Sequence, residues 1–328
     1  MNKRRKLVVA LGAGALTAPF ASFAQQQGKL WRIGVLWENE PSYYAQHIDA
    51  FKAGMRDLGY AEGRDYAIEQ RSAQTDLVRL PALMADLLAL KVDVIVSSGT
   101  PSAVAAHNAS RAIPILVVTA GDPVGSGLAA TLRRPGGNVT GLTGLSTDLT
   151  TKRLDLLRRI VPGMRRVAFF YNPANANDTL SLTQFESDCG ELQLKSIRAP
   201  ARQRTEIAEA FNTLQRENAQ GVLVSNSGSS NAWRASIIEH AAKHRLPVIY
   251  GRSSMVESGG LISYATDNID LYRRAAAYAD KIFKGAKPGD LPIEQPLKFE
   301  FVINLSTARA LGIKVPNEIM VLATKVIE

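Results

Sequence analysis

Short apolar runs rich in Val and Ile alternate with amphipathic stretches of helical length from Leu30 almost to the end of this 328-residue chain. No other feature constrains the fold as much. Strands separated by helices cannot pair as hairpins, so they pair in parallel and carry helices on both faces of the sheet. Trp31–Leu36, Asp65–Arg71, Val92–Val96 and Ile113–Thr119 read as the first four strands. Between them, Ala45–Leu58 sets Ile48, Phe51, Met55 and Leu58 on one helical face, and Leu80–Leu90 and Ser102–Ala109 read as further helices. The glycine-rich connection Pro135–Gly144 interrupts the pattern, which then restarts. Lys152–Ile160, Thr179–Leu192, Arg204–Asn218, Trp233–His244 and Asn268–Phe283 have helical spacing. Val167–Tyr171, Lys195–Arg198, Gly221–Ser225, Pro247–Tyr250 and Gly260–Tyr264 have strand character, and Phe299–Ile303 and Ser306–Leu311 close the chain as a strand and a helix. Two rounds of one architecture predict an α/β fold of two doubly wound parallel-sheet lobes joined by a hinge, with a change of lobe near Gly144.

Residues 1–24 stand apart. Lys3, Arg4, Arg5 and Lys6 precede an apolar run from Leu7 to Phe20, and the small-residue stretch Ala21-Ser22-Phe23-Ala24 follows. A basic start, a short greasy core and a small-residue cut site mark a secretory signal peptide. The core is too short to span a bilayer comfortably, and Pro19 breaks it. Arg4-Arg5 also fits twin-arginine export, so the route stays open. Cleavage after Ala24 would leave about 304 residues of the 328, enough for two lobes with their own cores. The net charge of +9 would fall to about +5, because four cations and no acids leave with the segment. The remaining Lys and Arg are scattered, which excludes the clustered basic stripe that nucleic acid requires. Cys189 is the only cysteine, so no internal disulfide staples the fold, and it lies too far from the cut to be a lipid-anchored first residue. No later apolar stretch approaches a membrane span. The expected destination is the periplasm.

In parallel α/β sheets ligands bind outside the carboxyl ends of the strands. The first strand ends in Trp37, Glu38 and Asn39. The third ends in Ser97-Ser98-Gly99-Thr100-Pro101-Ser102 and runs straight into a helix, with Ser98 or Thr100 placed to cap it. Such a helix start suits a carboxylate or another anion, but the local sequence alone favours an ordinary capped helix. The fourth ends in Ala120–Gly127, where glycines admit a ligand and Asp122 would receive an ammonium group or cap a turn. In the second round the ends are Asn172-Pro173, Ser225–Gly228, Gly251-Arg252-Ser253 and Tyr264–Asp267. This set suits a small polar molecule held between two lobes. It supplies no nucleophile with an obvious base. There is no Gly-x-Ser-x-Gly elbow and no P-loop, and Gly12-Ala13-Gly14 follows no strand. His240 and His244 are spaced for metal chelation but lack the zinc-protease Glu beside the first, and read as a solvated helix end. His47 and His107 are isolated. Neither catalysis nor a cofactor or metal is expected.

Several motifs match a known family in order: Ser98–Ala103, Gly121–Leu128, Arg134–Gly141, Leu246–Gly251, Gly259–Tyr264, Leu271–Ala276, Lys284–Pro288 and Lys298–Asn304. Through them the chain resembles the tryptophan/tyrosine-type substrate-binding proteins of ABC transporters, whose fold is that of a type I periplasmic binding protein. The resemblance covers essentially everything after the signal-like segment. It implies two lobes that close on a ligand by hinge motion and deliver it to an ABC permease in the inner membrane. It also implies three crossings between lobes, with residues 29–144 plus about 268–293 in lobe 1 and 145–267 plus about 294–328 in lobe 2. Carried over residue by residue, Ser98 and Thr100 would hold a carboxylate with Asp122 beside them. Asn172, Ser225, Asn226, Arg252 and Asp267 would line the second lobe, with Asp122 or Asp267 as the ammonium partner. Tyr264 and Trp37 would supply a stacking surface.

The chain departs from the family in two places. Ser225–Asn231 stands where a Ser-Asp-Pro run is common, and Trp37 and Glu38 replace small or polar residues. Both lie where ligand identity is set. The expectation is therefore an exported, monomeric solute-binding protein of an ABC importer, with amino acids among its candidate ligands. A periplasmic ligand sensor feeding a membrane receptor and an exported hydrolase are the alternatives. A regulator of the lac-repressor type shares the lobes but needs an N-terminal helix-turn-helix, and the signal-like segment takes that place.

Overall fold

The computed structural model describes residues 29–328, so the signal-like segment lies outside the described residues. Five strands of the first half, β1 (Trp31–Trp37), β2 (Tyr66–Ser72), β3 (Val94–Ser98), β4 (Ile115–Ala120) and β5 (Val139–Thr143), lie in one sheet. Five of the second, β6 (Arg166–Tyr171), β7 (Lys195–Pro200), β8 (Gly221–Val224), β9 (Val248–Tyr250) and β10 (Ile262–Thr266), lie in another. The short β11 (Ile293–Glu294) returns to the first sheet, and β12 (Phe299–Asn304) and β13 (Lys325–Ile327) complete the second. The orders are β11-β5-β4-β3-β1-β2 and β13-β12-β10-β9-β8-β6-β7. All pairings are parallel except β10 with β12, in keeping with the expected parallel-sheet lobes. The physical reason for the exception is the third crossing: β12 enters its sheet directly from the first, with no covering helix to return it to the parallel sense.

Chain crossings follow from these memberships. The chain leaves the first sheet after Thr143, leaves the second after Thr266, and returns to the second between Glu294 and Phe299. Helix Asn268–Phe283 packs Leu271, Tyr272, Ala275 and Ala279 with Ile33, Val35 and Trp37 of β1. On the opposite face of that sheet, Leu36 and Ile95 pack with Met84 and Ala103 from helices Leu80–Ala89 and Thr100–Ala109. One strand thus serves two cores because its side chains alternate faces.

Pro135–Gly144, read as a connection, contains β5, whose five residues are all buried. Glycine hides the strand signal. Gly141 has φ +132°, and a Cβ there would run into the Val117 carbonyl of β4. A second glycine sets a helix contact. Helix Ala45–Asp57 lies against Asn268–Phe283 at Gly54, where a Cβ would meet the Arg273 carbonyl and Ala276. Gly54→Leu is expected to lower unfolding free energy by about 1–3 kcal/mol, as overpacking of a filled contact does. Urea denaturation of the purified protein checks this, and an unchanged midpoint counts against the close helix contact.

Candidate functional site

In the first sheet β2 and β3 flank β1, and in the second β7 and β8 flank β6. Strand order therefore reverses beside β1 and β6, and a crevice opens above the carboxyl ends there. A narrow cavity of about 20 Å³ lies between the two crevices. Glu38, Tyr44, Ser98, Gly99, Thr100, Thr119 and Gly121 line it from the first lobe. Asn175, Asn177, Asn226, Ser227, Gly228 and Arg252 line it from the second. It is closed down well below the size of an open small-molecule site, and its wall is mainly polar.

The first-lobe wall is built around a helix start. Helix Thr100–Ala109 is capped by Gly99, whose φ of +88° has no side-chain bond to offer. The capping role expected of Ser98 or Thr100 is therefore not filled by either. Thr100 Oγ1 instead accepts from the Gly121 N–H at 3.1 Å, and the Ser98 carbonyl accepts from the Ser102 hydroxyl at 2.7 Å. The free N–H of Ser102 donates to Glu38 Oε1 at 3.4 Å. A carboxylate does sit at the positive helix end, and it belongs to the protein itself. Gly99 permits the approach, since a Cβ there would stand 2.5 Å from Glu38 Oε1.

The second-lobe wall is a hydroxyl and amide network. Asp178 Oδ2 accepts from the Asn172 N–H at 2.9 Å and the Ser225 hydroxyl at 2.8 Å. Ser225 also meets Ser230 at 3.0 Å and Ser227 at 3.3 Å, and Asn172 Nδ2 donates to Ser229 Oγ at 3.1 Å. Arg252 crosses the cleft, with Nη1 donating to the Tyr43 hydroxyl at 2.5 Å. Several polar atoms remain buried without a partner: Asn177 Oδ1, Asn226 Oδ1, Asp178 Oδ1 and Arg252 Nε. Such atoms are costly unless something else completes them.

Of the residues expected at the site, Ser98, Thr100, Asn226 and Arg252 line the cavity. Asn172 and Ser225 stand behind its wall. The other four lie outside the cavity lining. Trp37 is fully buried in the first-lobe core, where its indole N–H donates to Gln70 Oε1 at 2.8 Å. It stacks on Tyr44 at 4.2 Å, so Tyr44 is the ring that reaches the cavity. Tyr264 lies parallel to Phe299 at 5.8 Å. Asp122 accepts from the N–H groups of Val124 and Gly125 and so closes its own turn. Asp267 accepts from the Asp270 N–H at 3.0 Å and caps helix Asn268–Phe283. Neither acid lines the cavity. The acids at the cleft are Glu38 and Asp178, the second missed from sequence. A signal was present: Asn172-Pro173-Ala174-Asn175-Ala176-Asn177-Asp178 is a polar run directly after a strand end.

Among the described residues, no group of three or more His, Cys, Asp or Glu could hold a metal ion, and no helix is long and apolar enough to cross a membrane. His240 and His244 stack at 6.3 Å, and both lie parallel to Phe211. Burial, with the Arg252 charge second, pulls His47 down to about 4, so it is neutral at neutral pH. Burial pushes the Glu38 carboxyl up from 4.5 to about 8, opposed by the Ser102 N–H and Arg252. Burial likewise raises Asp178 to about 6. Both acids hold protons in the folded protein that the unfolded chain has already lost. Stability should therefore fall as pH rises from about 4.5 toward 8. Glu38→Gln is expected to flatten the melting temperature of the ligand-free protein across that range. Equal pH slopes in the two proteins would remove Glu38 as the cause.

Comparison with known proteins agrees with this architecture. The chain is 27% identical over 266 residues to the tyrosine-binding protein of Clostridioides difficile, spanning 80% of this chain and 76% of that one. A conserved domain protein from Vibrio cholerae superposes with a TM-score of 0.86 at 26% identity, covering 91% of this chain and 100% of the other. An ABC domain from Streptococcus pneumonia, solved in complex with L-Trp, shares the fold with a TM-score of 0.85 at 23% identity and the same coverage. The profile of the ABC transporter substrate binding proteins matches residues 35–327, so this chain belongs to that family and has its type I periplasmic-binding-protein fold.

Proposed function

We propose that this protein is the exported solute-binding component of an ABC importer, taking a small polar ligand into the cleft in the periplasm and handing it to an inner-membrane permease. One observation carries the reading: polar side chains of both lobes converge on one cavity and leave buried atoms without partners. A ligand between the lobes would complete those bonds and hold the lobes together. The wall offers serines, asparagines and two threonines, but no hydroxyl paired with a base that would serve as a nucleophile, which favours binding over turnover. The tyrosine-binding relative and the L-Trp complex support a ligand of amino-acid size. The single lining ring, Tyr44, limits how much aromatic stacking the cleft can supply. The protein acts as a monomer in this reading, since each copy has both walls.

The test is a thermal-shift screen of amino acids, amines and small carboxylates, followed by uptake of the best binder in cells with and without the gene. A tight ligand raises the melting temperature by mass action. Loss of uptake on deletion is the expected result. Unchanged uptake with lost signalling would transfer the protein to the sensor class, and a chemically altered solute would make it an enzyme. For the ligand found, Arg252→Ala should cost roughly 2–5 kcal/mol of affinity, mostly in dissociation rate, because it removes a buried charged donor. Asp122→Ala and Asp267→Ala should leave affinity unchanged. The second should instead lower stability by about 1 kcal/mol through loss of a helix cap. Calorimetric titration separates these outcomes.

A further inference from the structure

Glu38 is held in no contacting ion pair, and Arg252 of the same cavity acts on it only from a distance. Glu38 is 4% exposed, and no Lys, Arg or His nitrogen of the described residues lies within ion-pair distance of it. Among those residues its one hydrogen bond is the long contact to the Ser102 N–H at 3.4 Å. Its two oxygens are framed by glycines from opposite lobes. A Cβ on Gly99 would stand 2.5 Å from Oε1, and one on Gly228 would stand 2.8 Å from Oε2. The carboxylate therefore sits at the seam that closes over a ligand, where both sides have been cleared of side chain. A buried carboxylate with neither an ion partner nor a full set of donors is destabilising. Its carboxyl also occupies the helix end at Thr100, so that end is not left open to an incoming anion.

The same cavity carries two further acceptors without partners, Asn177 Oδ1 and Asn226 Oδ1, and Asn177 is 3% exposed. A protonated primary amine has three donors and no acceptor. Three acceptors, one of them charged, match it in number and in sign. Arg252 Nε is left as a donor for an acceptor elsewhere on the ligand. We propose that Glu38 is the ammonium-binding residue of the cleft, the part expected of Asp122 or Asp267, and that the ligand is a small protonated amine whose affinity comes from that group. Burial of Glu38 is consistent with this, since an ammonium group in contact would return the carboxyl to its ionised form. The inference rests on the reading of the cleft as a solute-binding site and narrows it to a class of solute.

The ligand class has two sources, amino acids and simple amines, and the experiment separates them. Purified protein is titrated with three-membered series: an amino acid, the amine left without its carboxyl group, and the acid left without its amine. L-Alanine, L-tyrosine and L-tryptophan start the series, with ethylamine, tyramine and tryptamine, and the corresponding propionates. Amine-bearing members are expected to raise the melting temperature and the amine-free acids are not. Glu38→Gln should weaken the amine-bearing members at least tenfold while circular dichroism shows a native fold. Glu38→Asp should recover part of the loss. Equal affinity for the amine-free acid, unchanged binding by Glu38→Gln, stabilisation by Na⁺ or Ca²⁺ alone, or no response to any amine would each overturn the proposal. Uptake assays stand apart. An amine bound through Glu38 without dependence of uptake on the gene sinks the importer reading and leaves this one. Gene-dependent uptake of a solute without an amine does the reverse.

Discussion

Strand order decides where this protein can bind. In each sheet the strand following the first lies on one side of it and the next lies on the other, so their connecting helices cover opposite faces. The carboxyl ends at the reversal are left open because no helix can cross above both. Glu38 and Ser98 stand over one opening, and Asn172 and Ser225 stand over the other. Everything polar in the cleft follows from those two positions. Three chain crossings keep the openings facing one another, and the Asp267 N–H bonded to the Lys298 carbonyl at 3.1 Å ties two of the crossings together.

Charge is distributed unevenly over this frame. Outside the cleft the ion pairs are largely exposed: Arg216 and Glu209 meet at 2.7 Å with 63% and 66% of their side chains accessible. Pairs of that kind contribute little to stability. Inside the cleft the situation is reversed. Glu38 and Asp178 are buried without a contacting cation, and Arg252 reaches a neutral hydroxyl. The cores on either side of both sheets carry stability, while the polar seam between the lobes holds buried groups without partners.

Much of the architecture was legible in the chain alone. Alternating Val/Ile runs and amphipathic stretches identify β1 to β4 and β6 to β10 within a few residues, because burial on both faces leaves a continuous apolar run. Elements carrying glycine were lost: β5 contains Gly141, and helix Gly228–Ala232 opens on glycine and serines. Very short β11 and β13 carry too few residues for any periodicity. Of the strand-end residues singled out, Ser98, Thr100, Asn226 and Arg252 line the cavity. Asp122 and Asp267 do not, because an Asp after a strand serves a turn or a helix cap as readily as a ligand.

What the amino-acid sequence determined by itself is the alternation of strands and helices, its two rounds, and the polar character of the strand ends. All are local properties, set by side-chain period and by the residues that follow each strand. Which of those polar groups remain unsatisfied was decided only by the tertiary structure. A carboxylate spends its hydrogen-bonding capacity on whichever N–H groups the packed backbone brings within reach, and that depends on residues distant in sequence. Asp267 meets a helix start three residues away and caps it. Glu38 meets a helix start 64 residues away and a glycine of the opposite lobe, and its carboxyl is left at the cleft with one long hydrogen bond.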